Sequence, residues 1–184
     1  MLIALDRMMA AVVLIAVLAT DTAHADVSLA QLFEQLREAP NDEQAAQVES
    51  TIWQRWVHHD NARVIEQFAR GVHLLEQRDF PAAIEQFSLV LKIAPQFAEA
   101  WNKRATTYFL MDEFTASVAD IERTLSLEPR HFGALSGLGL IFLSKGNLQK
   151  ALASFEKVLA IYPRSASALF HVDQLRRIMQ RNSI

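Results

Sequence analysis

The chain has 184 residues, 51% of them apolar, which is enough to bury one sizeable core or a short stack of repeats and excludes disorder for its bulk. A formal charge of −3 excludes the overall positive excess with which proteins hold nucleic-acid phosphates, leaving only a local patch open. The absence of cysteine excludes disulfides and a lipid carried on an N-terminal thiol, so stability must come from packing.

Residues 1–25 read differently from the rest. Arg7 precedes an apolar run over residues 8–19, and Ala23, His24 and Ala25 form a small-x-small triplet. This pattern predicts a signal peptide cut after Ala25, with Asp6 an unusual letter ahead of the run. The run is twelve residues, against roughly 20 for a membrane-spanning helix, so no integral anchor is expected after cleavage. Export, and a bacterial periplasmic location, is the expectation.

Ser28 followed by Gln31 predicts a capping box ahead of Leu29, Leu32, Phe33 and Leu36, and Pro40 predicts the stop. Asn41 then opens a second helix carrying Val48, Ile52, Trp53 and Trp56. Residues 26–60 are expected to form a degenerate hairpin stacked before the repeats that follow.

Pro95, Pro129 and Pro163 are spaced by 34 residues, which divides the chain into windows 64–97, 98–131 and 132–165. In register, the eighth position reads Gly71, Ala105, Gly139 and the twentieth Ala83, Ser117, Ala151. Small letters there suit two helices that approach closely. Bulky letters recur at position 11 (Leu74, Tyr108, Phe142) and position 24 (Phe87, Ile121, Phe155). Spacings such as Ala83, Phe87, Val90 and Leu91 put one apolar stripe on each helix, so each window predicts a helical hairpin. Asp79 and the pair Gly146–Asn147 supply the turns. Residues 166–184 give a final amphipathic helix, with Leu169, Val172, Leu175 and Met179 inward and Asp173, Arg176, Arg177 and Arg181 as a solvent cap.

A 34-residue helical hairpin with these letters resembles the tetratricopeptide repeat (TPR) family. Window two carries Trp101, Ala105, Tyr108 and Pro129; window three carries Leu135, Leu138, Gly139, Phe142, Ala151, Phe155 and Pro163. Window one departs at Gln67 and Arg70 but keeps Gly71, Leu74, Ala83, Phe87 and Pro95. The resemblance spans about 100 residues and implies an all-α, right-handed solenoid of antiparallel hairpins. It also implies a non-enzymatic module that binds a protein partner and needs no cofactor.

In this family the concave groove is lined by the first helix of each repeat, mainly at positions 2, 5, 9, 12 and 13. That implies a partner-binding surface of Phe68, Val72, Leu75, Asn102, Lys103, Thr106, Phe109, Leu110, Ser136, Leu140 and Leu143. Such an apolar strip should be covered. A helix or extended peptide of a partner is the first candidate; the hairpin at 27–60 or the groove of a second copy is the alternative. A related subgroup grips a C-terminal carboxylate, but the corresponding positions here are Phe68, Val72, Lys103, Gly133 and Gly137, of which only Lys103 is basic. A self-assembling scaffold and an accessory subunit of a secretion, pilus or cell-wall assembly stay open as rival roles.

Other letters invite chemistry that their spacing does not support. His58 and His59 are adjacent, so on a helix their side chains diverge by about 100 degrees, and no histidine pair has metal-ligand spacing. Gly137 and Gly139 lack the third glycine and the preceding strand of a phosphate loop, and Ser136 lacks a nucleophile elbow. Asp120 and Glu122 point to different faces and are expected to be solvated, and His131 and His171 are expected as turn and surface residues. Trp101 is expected in the core, where Trp101→Ala would cost roughly 3 to 5 kcal/mol. Arg70 and Arg104 share position 7 and are each expected to reach a carboxylate.

Overall fold

The computed structural model describes residues 27–182. The presequence assigned to residues 1–25 lies outside the described residues.

Seven of the nine described helices start behind a side chain that caps them, and the two at residues 98–110 and 114–127 start without one. Helix α1 (Leu29–Glu38) starts at a full capping box: Ser28 Oγ accepts from Gln31 N–H at 3.3 Å, and Gln31 Oε1 accepts from Ser28 N–H at 2.9 Å. Helix α2 (Asp42–Val57) starts behind Asn41, whose Oδ1 accepts from Gln44 N–H. The repeats follow as α3 (Ala62–Glu76) with α4 (Phe80–Ile93), α5 (Ala98–Leu110) with α6 (Phe114–Leu127), and α7 (Phe132–Ser144) with α8 (Leu148–Ile161). Helix α9 (Ala166–Arg181) closes the described chain. Asp79, Asn147 and Ser165 cap α4, α8 and α9 through side-chain oxygens. Among the described residues there is no strand.

The turn inside each of the three repeat hairpins passes through the left-handed region once. The residues are Arg78 (φ 63°), Asp112 (φ 59°) and Gly146 (φ 70°), one repeat period apart. Only the third is glycine, so the first two hairpins hold an L side chain where it is disfavoured by about 1 kcal/mol.

Each hairpin packs on the next, α4 on α5, α6 on α7 and α8 on α9, giving an all-helical solenoid. The small and large columns meet inside each hairpin. A methyl on Gly71 would lie 2.6 Å from the Phe87 ring, and one on Gly139 would lie 2.8 Å from the Phe155 ring. Hairpin two makes the complementary choice, with Ala105 and the smaller Ile121 in one cluster. Here Ser117 Oγ also donates to the Ala105 carbonyl across the hairpin at 2.8 Å. Burying Phe87 and Phe155 completely contributes about 2 to 3 kcal/mol each.

Two expectations are corrected. The N-terminal hairpin does not stack before repeat one; it folds back along the chain, with α2 on α5 and α1 on α8. Its apolar residues Leu32, Phe33, Leu36, Ile52 and Trp56 join one core with Phe132, Leu135, Phe155 and Tyr162. The reason is composition: Trp53 and Trp56 find a receptive aromatic surface in repeat three. In α9 the basic and acidic outer face is exposed as expected, but Leu169 and Phe170 are also 49% and 58% exposed. They occupy positions 4 and 5 of a fourth unit that has no second helix among the described residues to cover them.

Candidate functional site

The first helices α3, α5 and α7 lie side by side, which brings the predicted groove residues onto adjacent helices. The structure divides the predicted groove residues into two groups. Phe68, Leu75, Asn102 and Ser136 are buried. Phe68 belongs to the core of repeat one, with its ring 4.9 Å from Phe97 and 5.8 Å from Phe87. Leu75 joins the same cluster. Ser136 Oγ donates to the Phe132 carbonyl at 2.8 Å, satisfying itself within α7. Val72, Lys103, Thr106, Phe109, Leu110, Leu140 and Leu143 remain partly exposed. Val72 and Leu110 border the core of repeat one, Phe109 packs 5.9 Å from Phe114, and Leu140 and Leu143 border the core shared with the N-terminal hairpin. Thr106 Oγ1 donates to the Asn102 carbonyl.

Helix α2 packs across the start of α7, beside Lys103 of α5. Trp53 stands edge-on to Phe132 at 5.3 Å and to His131 at 5.6 Å, and its ring abuts Gly133, where a methyl would lie 2.7 Å away. Trp56 stacks flat on His131. Outside the aromatic contact, the Tyr162 hydroxyl donates to Glu49 at 3.0 Å, Arg164 donates to the Ala39 carbonyl and to Asp42, and the Arg130 guanidinium covers the Phe33 ring. Burial first, and then the Glu49 carboxylate, push the Tyr162 phenol above its ordinary pKa, so it stays a donor.

Beneath Trp56 lies a buried polar cluster that sequence reasoning missed. Glu99 and His131 both have 0% exposure. His131 Nδ1 accepts from Ala134 N–H at 3.1 Å, capping α7, so Nε2 carries the hydrogen and donates to Glu99 Oε2 at 3.0 Å. Asn102 Nδ2 donates to the same oxygen. Lys103 Nζ lies 3.2 Å from Glu99 Oε1 without hydrogen-bond alignment, acting on it through charge, and 5.8 Å from the Trp53 ring centroid. Burial pushes the Glu99 carboxyl up, but the Lys103 charge and the His131 bond outweigh it and hold the carboxyl below its ordinary value. His131 is therefore no surface residue. Position 34 of each window precedes a first helix, and the letters there are Phe97, His131 and Ser165; a cap-competent His paired in register with Glu99 was the available signal.

Arg104 behaves as expected and Arg70 does not. Arg104 makes a bidentate pair with Asp120 at 2.7 and 2.9 Å, donates to Ser88 Oγ, and lies 4.9 Å from the Trp101 ring centroid. Asp120 is thus buried and paired, not solvated. Arg70 is exposed and makes no ion pair among the described residues, because the residue one period before Asp120 is Gln86, which bonds to Gln67 instead. Trp101 is only partly buried, its Nε1–H donating to the Pro95 carbonyl, so its truncation costs less than a core tryptophan's.

Among the described residues no three His, Asp or Glu side chains converge to hold a metal, and no helix is long and apolar enough to cross a membrane. His171 stacks on Phe155 and bonds within α9. With Glu99 and His131 buried, the predicted groove residues left partly exposed are apolar apart from Thr106 and Lys103.

Residues 102–166 match the family model described as tetratricopeptide repeat. A TPR repeat-containing protein of Rhizobium etli is 34% identical over 154 residues, covering 84% of this chain and 76% of that protein. Small glutamine-rich tetratricopeptide repeat-containing protein 2 of Saccharomyces cerevisiae is 28% identical over 92 residues, half of this chain and 27% of that protein. Two solved structures share the fold: the first TPR of Spaghetti (RPAP3) bound to the HSP90 peptide SRMEEVD, and the Sgt2 TPR domain from Aspergillus fumigatus. The first gives a TM-score of 0.62 at 20% identity over 67% of this chain and 98% of that chain. The second gives 0.62 at 18% identity over 67% of this chain and 83% of that chain. At these identities the likeness is one of fold.

Proposed function

This chain belongs to the tetratricopeptide repeat family, and on that premise we propose that it is a non-enzymatic adaptor whose concave groove binds a helix or extended peptide of a partner protein in the bacterial cell envelope. The observation that carries this reading is the strip of Val72, Phe109, Leu110, Leu140 and Leu143, which stays partly exposed on adjacent first helices after the N-terminal hairpin has docked. A strip of that kind, flanked by Thr106 and Lys103, suits an amphipathic ligand. The location rests on Arg7, the apolar run over 8–19 and the Ala23-His24-Ala25 triplet. The RPAP3 domain was solved with an HSP90 peptide. Here the positions assigned to a carboxylate clamp hold Phe68, Val72, Lys103, Gly133 and Gly137, so the proposed ligand is recognised by its apolar side chains and not by a chain terminus.

Co-purification tests the reading. A tagged chain is expected to bring down a partner from the envelope fraction, and Thr106→Arg, which fills the open groove, is expected to abolish capture with helicity and melting unchanged. Retained capture contradicts it. A second reading is favoured by exposed Leu169 and Phe170, which offer an apolar end to a second copy. Sedimentation over a wide concentration range decides it, and a strict monomer removes it.

A further inference from the structure

We propose that the α1–α2 hairpin is a displaceable occupant of the groove between α5 and α7, and that the partner replacing it is an amphipathic helix carrying two aromatic side chains three residues apart. This inference rests on the groove-binding reading above and names the ligand chemistry and regulation of that same site.

The hairpin meets the solenoid as a ligand meets a receptor. Its anchors are two tryptophans at i and i+3 on one helix, Trp53 against Gly133 and Phe132 and Trp56 against His131. Aromatic pairs of that spacing are how an amphipathic helix engages a groove. The receptor surface is shaped for them: Gly133 leaves room for the Trp53 ring, and the Lys103 ammonium approaches its centroid. The polar clasps lie outside this subsite, at Tyr162–Glu49 and Arg164–Asp42 in the turn between α8 and α9.

The docked state is also imperfectly satisfied. Trp56 Nε1 is buried and has no hydrogen-bond partner among the described residues. A competing aromatic without an indole N–H would bury the same surface without that loss. Residues 58–61, linking α2 to α3, are short, and a tether of that kind sets an effective concentration of about millimolar, which a free helix must overcome. Weakening the clasps lowers that barrier and leaves the subsite itself intact.

The probe is a labelled synthetic peptide of residues 42–57, with a control in which both tryptophans are alanine. In fluorescence anisotropy the parent chain is expected to bind it weakly, and the Asp42→Ala, Glu49→Ala chain, whose own hairpin has lost both clasps while the peptide keeps them, at least tenfold more tightly. The control peptide is expected to bind neither. Equal affinity for the two chains, or no binding to either, overturns the proposal.

A second measurement holds even if the clasp variant folds poorly. The chain has no native cysteine, so Gln35→Cys and Lys157→Cys can carry spin labels on α1 and α8 of an otherwise unaltered protein. Saturating peptide is expected to move the pair into a longer-distance population, and an unchanged distance overturns the proposal. Photo-crosslinking at Phe109 separates this from failure of the groove reading. Partner capture there with an unmoved hairpin removes the displaceable plug alone, whereas no capture by either chain removes the groove reading.

Discussion

Trp56 and His131 lie face to face, ring centroids 4.0 Å apart and planes 8° from parallel, where α2 crosses the start of α7. One imidazole thus serves three elements: it caps α7, binds Glu99 of α5 and supports the stacked indole of α2. The docking of the N-terminal hairpin and the junction of repeats two and three depend on the same ring.

Trp56→Ala and His131→Ala are each expected to destabilise the fold by about 3 kcal/mol, through lost burial and through a lost cap and hydrogen bond. The double variant should cost less than their sum by about 1 kcal/mol, the value of the stack. Urea midpoints of the four chains measure this, and strict additivity would show that the two rings do not act together.

Acid sensitivity should trace to Glu99. Its carboxyl is held below the ordinary value of 4.5 in the folded chain, so the folded state binds fewer protons there than the unfolded one. The stabilisation is fully present above 4.5 and is lost as pH falls through the lower folded value. Glu99→Gln should therefore be less stable than the parent at neutral pH, with the gap closing in acid. A gap that stays constant down to pH 3 would mean that the carboxylate is not held this way.

Arg104 and Arg70 occupy the same repeat position but should respond differently. Arg104→Ala strands the buried Asp120 carboxylate and should cost about 3 kcal/mol. Arg70→Ala removes an exposed side chain and should change stability by about 0.5 kcal/mol or less. Thermal melts of the two variants suffice, and equal losses would contradict the pairing.

The small and large columns predict a compensation. Gly139→Ala places a methyl 2.8 Å from the Phe155 ring and should cost about 1 to 3 kcal/mol. Adding Phe155→Ile reproduces the Ala105 and Ile121 pairing of hairpin two and should recover part of that loss. A double variant less stable than either single one would show that hairpins two and three pack by different rules.

The solenoid was legible because its information is periodic: prolines, glycines and aromatics repeat at 34 residues, and each caps, turns or packs in register. The site was less legible because it is made by residues that break the period. Glu99 and His131 are single departures in their columns, and they meet across 32 residues under a tryptophan from a segment outside the repeats. Trp53 and Trp56 marked an apolar face on α2 but not what that face would meet. The exposed state of Arg70 turned on Gln86, a substitution in the partner column. Positions 5 and 12 of the repeat template placed Phe68 and Leu75 in the groove, yet in repeat one Phe87, Val90 and Phe97 draw both side chains into the core.

The groove itself is tested most directly by a panel of photo-crosslinking residues placed one at a time. Phe109 and Leu140 report on the concave face; Glu122 on α6 and Glu156 on α8 report on exposed second-helix positions. In cells, the account predicts that Phe109 and Leu140 capture the same partner and that Glu122 and Glu156 do not. Capture from Glu122 or Glu156, with none from Phe109 and Leu140, would contradict it.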